Sequence, residues 1–201
     1  ESLAPAQVAA LATAALVGLQ SADLVAMTTA QVAVLSAAQI AAISTATLTK
    51  MQTEDFAALS SAAMAGLTTA QASALTTAQL AAIGTAQLRA LSAAAVARLN
   101  ATGLGALSTG HVAALGSAQI AALTSVQVAG LTSAQVAALT TAQVAALSTI
   151  ALKGLESGDI AALTTAQAAV LSSAQLAAIS TAAISRLEAL DLAAVTTAAL
   201  K

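Results

Sequence analysis

A period of eight residues runs through the whole chain and limits the folds that it can adopt. A large aliphatic residue stands at every eighth position without exception, from Leu3 to Val195. A second aliphatic series follows five residues later in each unit, from Val8 to Leu200, and only two alanines weaken it. Tandem repeats of a fixed short period usually build solenoids or arrays. We therefore predict one solenoid domain, residues 1–201, made of about 25 octapeptides.

Each octad contains the signals that start a helix. Counted from its first aliphatic residue, position 2 is mostly Ser or Thr, position 5 is Gln in twelve units, position 6 is the second aliphatic, and Ala dominates the rest. Ser or Thr followed three residues later by Gln forms a capping box, and the aliphatics at positions 1 and 6 then form a hydrophobic staple. We therefore expect a short capped helix of about six residues, positions 3 to 8, in every octad. The next aliphatic–Ser/Thr pair would form a corner.

Proline and the charged residues support this interpretation. The single proline, Pro5, stands at position 3, the first helical residue, where proline is favoured. Acids at helix starts and bases at helix ends complement the helix dipole. After Glu1, every acid stands at positions 2, 4 or 5: Asp23, Glu54, Asp55, Glu156, Asp159, Glu188 and Asp191. Every base stands at positions 7 or 8: Lys50, Arg89, Arg98, Lys153, Arg186 and Lys201.

Three rival structures fit the pattern less well. In a continuous helix, eight residues leave the apolar stripe roughly 80° off per unit, so the stripe would spiral around the rod. A β-solenoid would need alternation and β-branched residues, whereas the second half of each unit is rich in the strong helix former Ala. A transmembrane helix would carry about six polar side chains in each window of roughly 20 residues. We therefore expect no membrane span.

One short helix cannot remain folded alone, so the octads must share surfaces. Positions 1 and 6 lie on one side of the helical wheel, and the small residues at positions 4, 7 and 8 lie opposite. Consecutive helices that bend at each corner would wind into an all-α superhelical coil, with the aliphatics inside and Ala or Gly allowing its turns to approach closely. We expect three or four octads per turn.

The residues offer little chemistry for a catalytic or metal site. His111 is the only histidine, there is no cysteine, and His111 stands at the Gln position, so we interpret it as a capping-box substitute. We interpret Glu54–Asp55 as neighbouring caps rather than a Ca²⁺ site, and Gly103, Gly105 and Gly110 as a locally irregular coil. We therefore predict no catalytic, cofactor-binding or metal-binding residue, and no enzyme activity.

Charge also limits the partners. The net charge is −2, and the six scattered bases cannot form the dense basic stripe that nucleic acid requires. We therefore expect no nucleic acid partner. The exposed Ala-rich faces invite self-association, and neighbouring modules of the same polypeptide are the other expected partners.

The octad resembles the short Ala/Thr/Gln-rich repeats of very large bacterial surface and secreted proteins of the adhesin or RTX-like kind. The clearest stretch is 115–147, which contains LTSAQVAAL and LTTAQVAAL. This resemblance implies secretion or a cell-surface location and a stalk, spacer or scaffold role, and the abrupt Glu1 suggests a fragment. The Gly/Asp nonapeptides that bind Ca²⁺ in RTX segments are absent. A rival hypothesis is that the Thr and Ala arrays bind an ordered apolar or ice-like ligand or a protein partner.

Overall fold

A computed structural model describes residues 3–187 and 193–195 of the chain. Within these residues, 23 short helices follow one another, one in each octad, and no strand occurs. Their bounds are α1 Pro5–Ala9, α2 Thr13–Val17, α3 Ser21–Val25, α4 Thr29–Val32, α5 Ala37–Ala42, α6 Thr45–Leu48, α7 Thr53–Ala58, α8 Ser61–Met64, α9 Thr69–Ala74, α10 Thr77–Ala82, α11 Thr85–Ala90, α12 Ala93–Val96, α13 Ala101–Gly105, α14 Thr109–Ala114, α15 Ser117–Ala121, α16 Ser125–Ala129, α17 Ser133–Ala137, α18 Thr141–Ala146, α19 Thr149–Leu152, α20 Ser157–Ala161, α21 Thr165–Ala168, α22 Ser173–Ala178 and α23 Thr181–Ile184.

Every one of these helices begins at octad position 3, as the capping signals predict. The residue at position 2 is the N-cap and has extended backbone angles, for example φ −84° and ψ 165° at Ser36. The aliphatic before an N-cap is extended as well, as at Ile43, where φ is −68° and ψ is 135°. Two consecutive extended residues therefore turn the chain between helices, which confirms the predicted corner. Pro5 is the first residue of α1, which is also confirmed.

The helices contain four to six residues, and the residue at position 8 is associated with their length. All seven four-residue helices end before a Val, Lys, Gly or Arg at this position, namely Val34, Lys50, Gly66, Arg98, Gly154, Val170 and Arg186. All eight six-residue helices have Ala there. Ala at position 8 is mostly half-buried, whereas Val34, Lys50 and Arg98 are exposed there and Gly154 is buried. At Lys50, Arg98, Gly66 and Gly154 the backbone N–H donates to the carbonyl three residues back, which tightens the last turn.

Adjacent hydroxyls at positions 2 and 3 allow the N-cap to be tested with a matched pair. Thr140 Oγ1 accepts from the backbone N–H of Gln143 at 3.2 Å, whereas the exposed Thr141 is the first residue of α18. Because an N-cap hydroxyl satisfies an otherwise free helical N–H, we expect Thr140→Ala to lower the free energy of unfolding by about 1 kcal/mol. Thr141→Ala should lower it by less than about 0.3 kcal/mol, since Ala favours helix interiors. Urea unfolding followed by circular dichroism measures both, and equal losses would contradict the assigned cap.

The helices wind into a coil in which each one packs against the helices three positions before and after it. The aliphatics at positions 1 and 6 form one continuous core that runs from Val8 to Val195 through the described residues. Phe56, the only aromatic residue, is fully buried in it. The two alanines that interrupt the second series, Ala72 and Ala168, are also fully buried. The coil is therefore an all-α solenoid, as predicted. Leu200, Glu188, Asp191 and Lys201 lie outside the described residues.

Glycines allow the backbones of successive turns to touch, as expected from the small flanking residues. A Cβ on Gly66 would overlap the backbone of Ala37, and a Cβ on Gly154 would overlap the carbonyl of Ser125. Each of these pairs joins helices that lie three octads apart. None of the described helices has the length and apolar character that crossing a bilayer requires.

Candidate functional site: the inter-turn glutamine network

The glutamines at position 5 are buried between turns. From Gln31 onward, every Gln at this position is at most 8% exposed, and Gln127 is 3% exposed. In nine octads both halves of the capping box are present. In the octad of Gln127, Thr124 Oγ1 accepts from the Gln127 N–H at 3.2 Å, and Gln127 Oε1 accepts from the Thr124 N–H at 2.9 Å. The predicted capping box is therefore confirmed.

The amide nitrogen of the same side chain makes a second set of bonds that the sequence did not predict. Gln127 Nε2 donates to the carbonyls of Val96 and Leu99, both at 2.8 Å. These acceptors precede the donor by 31 and 28 residues, and the same spacings recur at Gln71 and Gln175. We call these bonds the inter-turn glutamine network. One turn of the coil therefore takes between three and four octads, as expected.

This network solves a problem that the corners create. A helix leaves its last carbonyls without partners inside the helix, and a buried free carbonyl costs stability. Here the carbonyl at position 6 accepts from the N–H at the next position 1, as in Leu99 N to Val96 O. In nine octads Gln Nε2 of the following turn then donates both to that carbonyl and to the carbonyl at position 1, as Gln127 does. One side chain therefore caps its own helix start and satisfies the corner of the preceding turn.

Asn100 and Gly103 replace the glutamine with a different pair. Position 5 of this octad is Gly103, and Asn100 stands at the N-cap. Asn100 Oδ1 accepts from the Gly103 N–H at 2.5 Å, and Asn100 Nδ2 donates to the Leu75 carbonyl at 2.9 Å. Leu75 is the acceptor that a glutamine at 103 would reach, since it lies 28 residues earlier. A Cβ on Gly103 would lie 2.5 Å from Leu80 Cδ1 and 2.8 Å from Asn100 Oδ1, so the glycine makes room for both side chains.

His111 keeps the glutamine's inter-turn contact with a ring. Its Nε2 is 2.9 Å from the Ile83 carbonyl, 28 residues earlier, and its Nδ1 is 2.7 Å from Ser108 Oγ. A carbonyl only accepts, so Nε2 donates to it; in the neutral ring Nδ1 then accepts from the Ser108 hydroxyl. The capping-box interpretation is confirmed only in part: Ser108 Oγ accepts from the His111 N–H, but the ring binds the Ser108 hydroxyl rather than its N–H. The expected irregular coil here is wrong, because α13 and α14 continue the solenoid with the octad spacing.

Aspartates at position 5 bind hydroxyl groups instead of carbonyls, because a carboxylate has no proton to donate. Asp55 Oδ1 accepts from Thr29 Oγ1 at 2.8 Å, and Asp159 Oδ1 accepts from Ser133 Oγ at 2.9 Å. Both hydroxyls stand at position 3 of the octad three units earlier. Asp159 Oδ2 also accepts from the Glu156 N–H at its own helix start. Asp159 therefore caps its own helix and links two turns. At α7 the structure gives the N-cap no side-chain hydrogen bond, Asp55 links turns, and Glu54 Oε2 accepts from Thr53 Oγ1, so the interpretation of Glu54–Asp55 as neighbouring caps is wrong.

A double-mutant cycle tests whether Asn100 and Gly103 act as one unit. We expect Asn100→Ser to cost about 1–2 kcal/mol of unfolding free energy, because it leaves the Leu75 carbonyl without its donor. Gly103→Gln alone should also destabilise, since the new side chain collides with Asn100. The double variant restores the common octad, so the two losses should not add. Chemical unfolding of the four chains gives the coupling, and additive losses would contradict the shared role.

The described residues show no further cluster of chemical groups. Within 3–187 and 193–195, no three His, Cys, Asp or Glu side chains lie close enough to hold a metal ion. Every fully buried side-chain nitrogen or oxygen of this part of the chain has a hydrogen-bond partner. The recurring arrangement in these residues is therefore the network itself.

Comparison with known families identifies the repeat. A family model described as the ALTTAQ repeat matches five tandem segments, at residues 16–51, 48–85, 80–117, 112–149 and 152–189. A search of curated proteins finds no match. Each matched segment begins at octad position 6 and is long enough to contain a position 5 residue together with the corner that it contacts. In the segment at 48–85, for example, Gln79 Nε2 donates to the carbonyls of Leu48 and Met51.

Proposed function

Because the chain belongs to the ALTTAQ repeat family, we propose that it is a non-catalytic structural repeat, a spacer, stalk or scaffold segment of a bacterial surface or secreted protein. The observation that supports this role is the uniformity of the contacts between turns. Each described helix packs on the helices three octads away. The glutamines at position 5, such as Gln71, Gln127 and Gln175, each link the same two octad positions of the preceding turn. Such a stack lengthens by a constant step for each added octad without changing its diameter.

The length of the rod tests the spacer role. Deleting residues 84–139 removes seven whole octads, about two turns, and joins Ile83 to Thr140 in the correct octad order. Packed helices lie about 8–10 Å apart, so the rod should shorten by about 18 Å with its cross-section unchanged. Small-angle scattering measures both quantities. A matched deletion of residues 88–139 breaks the octad order and should lose helix content. An unchanged length in the first variant, or a compact globule, would contradict the proposal.

The location of the protein needs a separate experiment. The weakly charged outer surface, formed largely by exposed residues at positions 2, 3, 4 and 7, suits an extended segment that contacts solvent along its length. Antibodies against the chain should label intact cells of the organism that encodes it, or should detect the chain in the culture medium. Labelling only after permeabilisation, with none in the medium, would contradict a surface or secreted location.

A second candidate function is a binding surface for an ordered apolar or ice-like ligand or for a protein partner. It is favoured by the bulky aliphatics Val126 and Ile150, which are 70% and 67% exposed at position 4 of the packed helices α16 and α19. Exposed Thr and Ala side chains surround this position in other octads, as at Thr141. Thermal hysteresis and ice-recrystallisation assays test the ice hypothesis, with Val126→Lys/Ile150→Lys as the variant. Absence of activity in the unmodified chain would remove that hypothesis.

A further inference from the structure

The octad of His111 brings a hydroxyl group and an imidazole ring together at the surface of the coil. Ser108 Oγ lies 2.7 Å from His111 Nδ1, and the serine is exposed while the ring is half-buried. The other ring nitrogen, Nε2, lies 2.9 Å from the Ile83 carbonyl of the preceding turn. A hydroxyl, an imidazole and a carbonyl therefore stand in a row, each within hydrogen-bond distance of the next.

This row meets the geometric conditions for an activated serine nucleophile. A serine hydroxyl reacts readily when a base within about 2.6–3.2 Å can take its proton and a third group orients that base. The Ile83 carbonyl requires a hydrogen on Nε2, which leaves the Nδ1 lone pair of the neutral ring for the Ser108 hydroxyl. Ser108 Oγ also accepts from the His111 N–H at 3.3 Å, so one of its two lone pairs remains for attack.

The pairing of Ser108 with a base is peculiar to this octad. His111 is the only histidine of the chain, so no other N-cap hydroxyl has an imidazole three residues later. Ser172, for comparison, is also exposed, but its hydroxyl donates to Gln175 Oε1 at 3.1 Å, and an amide oxygen does not take the proton. Gly110 adds a second feature, because a Cβ there would lie 3.7 Å from Ser108 Oγ and the glycine leaves that space to a substrate.

We propose that Ser108 and His111 form a nucleophile–base pair that accepts an acyl group from an activated ester. Ser108 Oγ bonds to the carbonyl carbon of the ester while its hydroxyl proton moves to His111 Nδ1. The bond from that carbon to the leaving oxygen then breaks, and the proton passes from Nδ1 to the leaving group. The Ile83 carbonyl accepts from Nε2 throughout, which orients the ring and stabilises its transient positive charge. This activity would add to the structural role and does not depend on it.

Acetylation by p-nitrophenyl acetate tests the proposal on the full chain. Mass spectrometry of the digested protein measures how fast each serine gains an acetyl group, and Ser172 serves as the internal control. A positioned base typically contributes a factor of about 10²–10⁴, so Ser108 should be acetylated at least about tenfold faster than Ser172.

Two variants exchange the environments of these serines. His111→Gln gives Ser108 the neighbour that Ser172 already has, so the helix should form as before and Ser108 should react no faster than Ser172. Gln175→His places a ring beside Ser172, with the Leu147 carbonyl 28 residues earlier as the second partner of that ring. It should accelerate the acetylation of Ser172 at least about tenfold. Circular dichroism checks that both variants keep their helices.

The outcomes separate the pair from simpler reactions. Equal rates at Ser108 and Ser172 in the unmodified chain, or an unchanged rate at Ser108 in His111→Gln, would overturn the proposal. Failure of Gln175→His to activate Ser172 would do the same. Ser108→Ala should release p-nitrophenol no faster than His111→Gln does. Release that persists in Ser108→Ala and stops in His111→Gln would show that the ring itself is the nucleophile, which also contradicts the proposed pair.

Discussion

Gln127→Glu should destabilise the solenoid by about 4 kcal/mol, because it replaces a buried donor with an unpaired buried charge. Gln127 Nε2 supplies two bonds to the carbonyls of Val96 and Leu99, and a carboxylate would instead direct an acceptor at those two acceptors. Gln127→Ala leaves these two carbonyls and the Thr124 N–H without the side chain that contacts them. We expect Gln127→Ala to lower the free energy of unfolding by about 3 kcal/mol, which is about 1 kcal/mol for each of these three backbone groups. Guanidinium unfolding followed by circular dichroism measures both changes.

The pH dependence gives this prediction a distinctive signature. Burial and the two facing carbonyls should raise the pKa of the introduced carboxyl in the folded chain above its value in the unfolded chain. The folded state then binds the extra proton more tightly, so stability is gained as the pH falls through the raised pKa and lost again as it rises. The protonated acid can also donate to one carbonyl. The difference in unfolding free energy between Gln127→Glu and the unmodified chain should therefore become smaller as the pH is lowered.

The matched control lies in the first turn. Gln7→Glu makes the same change at the same octad position, where the side chain is exposed and no described turn precedes it. Its carboxylate can still accept from the Ala4 N–H, so we expect a change below about 0.5 kcal/mol. Equal effects at Gln7 and Gln127 would show that the glutamine acts only as a local cap and would contradict the inter-turn role.

Gly154→Ala should lower the free energy of unfolding by about 2–3 kcal/mol, because the added methyl has no space between two backbones. A Cβ on Gly154 would overlap the Ser125 carbonyl and lie 2.9 Å from the Ala129 nitrogen. These are main-chain atoms of α16, so a simple side-chain rotation cannot relieve the contact. Relief would require the turns that carry α16 and α19 to separate. Thermal and chemical unfolding measure the loss.

Gly84→Ala is the control for this change. Gly84 is an N-cap with φ −82° and ψ 165°, angles that any residue adopts, and an added Cβ would lie 3.5 Å from Gln87 Oε1, an ordinary contact distance. Replacing glycine by alanine at a compatible position stabilises the folded chain, because it restricts the unfolded one. Alanine is a poorer N-cap than glycine, and this effect lowers the stability. The two effects oppose each other, so we expect Gly84→Ala to change the free energy of unfolding by less than about 0.5 kcal/mol. A comparable loss at both glycines would mean that close approach between turns is not what Gly154 provides.

The local structure could be predicted from the sequence because its causes are local. Ser36 and Gln39 stand three residues apart, and the bonds between them define the start of α5 without reference to any other part of the chain. The burial of positions 1 and 6 follows equally from their eight-residue period. Helix length varied with the residue at position 8, and the signals that start each helix do not reveal where it ends.

The inter-turn role of the glutamines could not be derived in the same way. The capping box gives Gln a sufficient local explanation, and the distance along the chain to its other partners depends on the pitch of the coil. One signal was nonetheless present. Capping boxes accept Glu as readily as Gln, yet position 5 contains Gln twelve times and Glu never. A side chain that accepts from its own helix start and donates to the carbonyls of the preceding turn explains the preference for Gln over Glu, whereas Asp55 and Asp159 link turns through hydroxyls instead.

Hydrogen-bond scalar couplings measured by NMR test the central claim most directly. With Gln side chains labelled with ¹⁵N and the carbonyls of Val and Leu labelled with ¹³C, the Gln127 Nε2 should show couplings through hydrogen bonds to the carbonyl carbons of Val96 and Leu99. The Gln7 amide serves as the internal reference and should show none to a residue of an earlier turn. Rapid exchange of the Gln127 amide protons with solvent, together with no coupling to either carbonyl, would contradict the account.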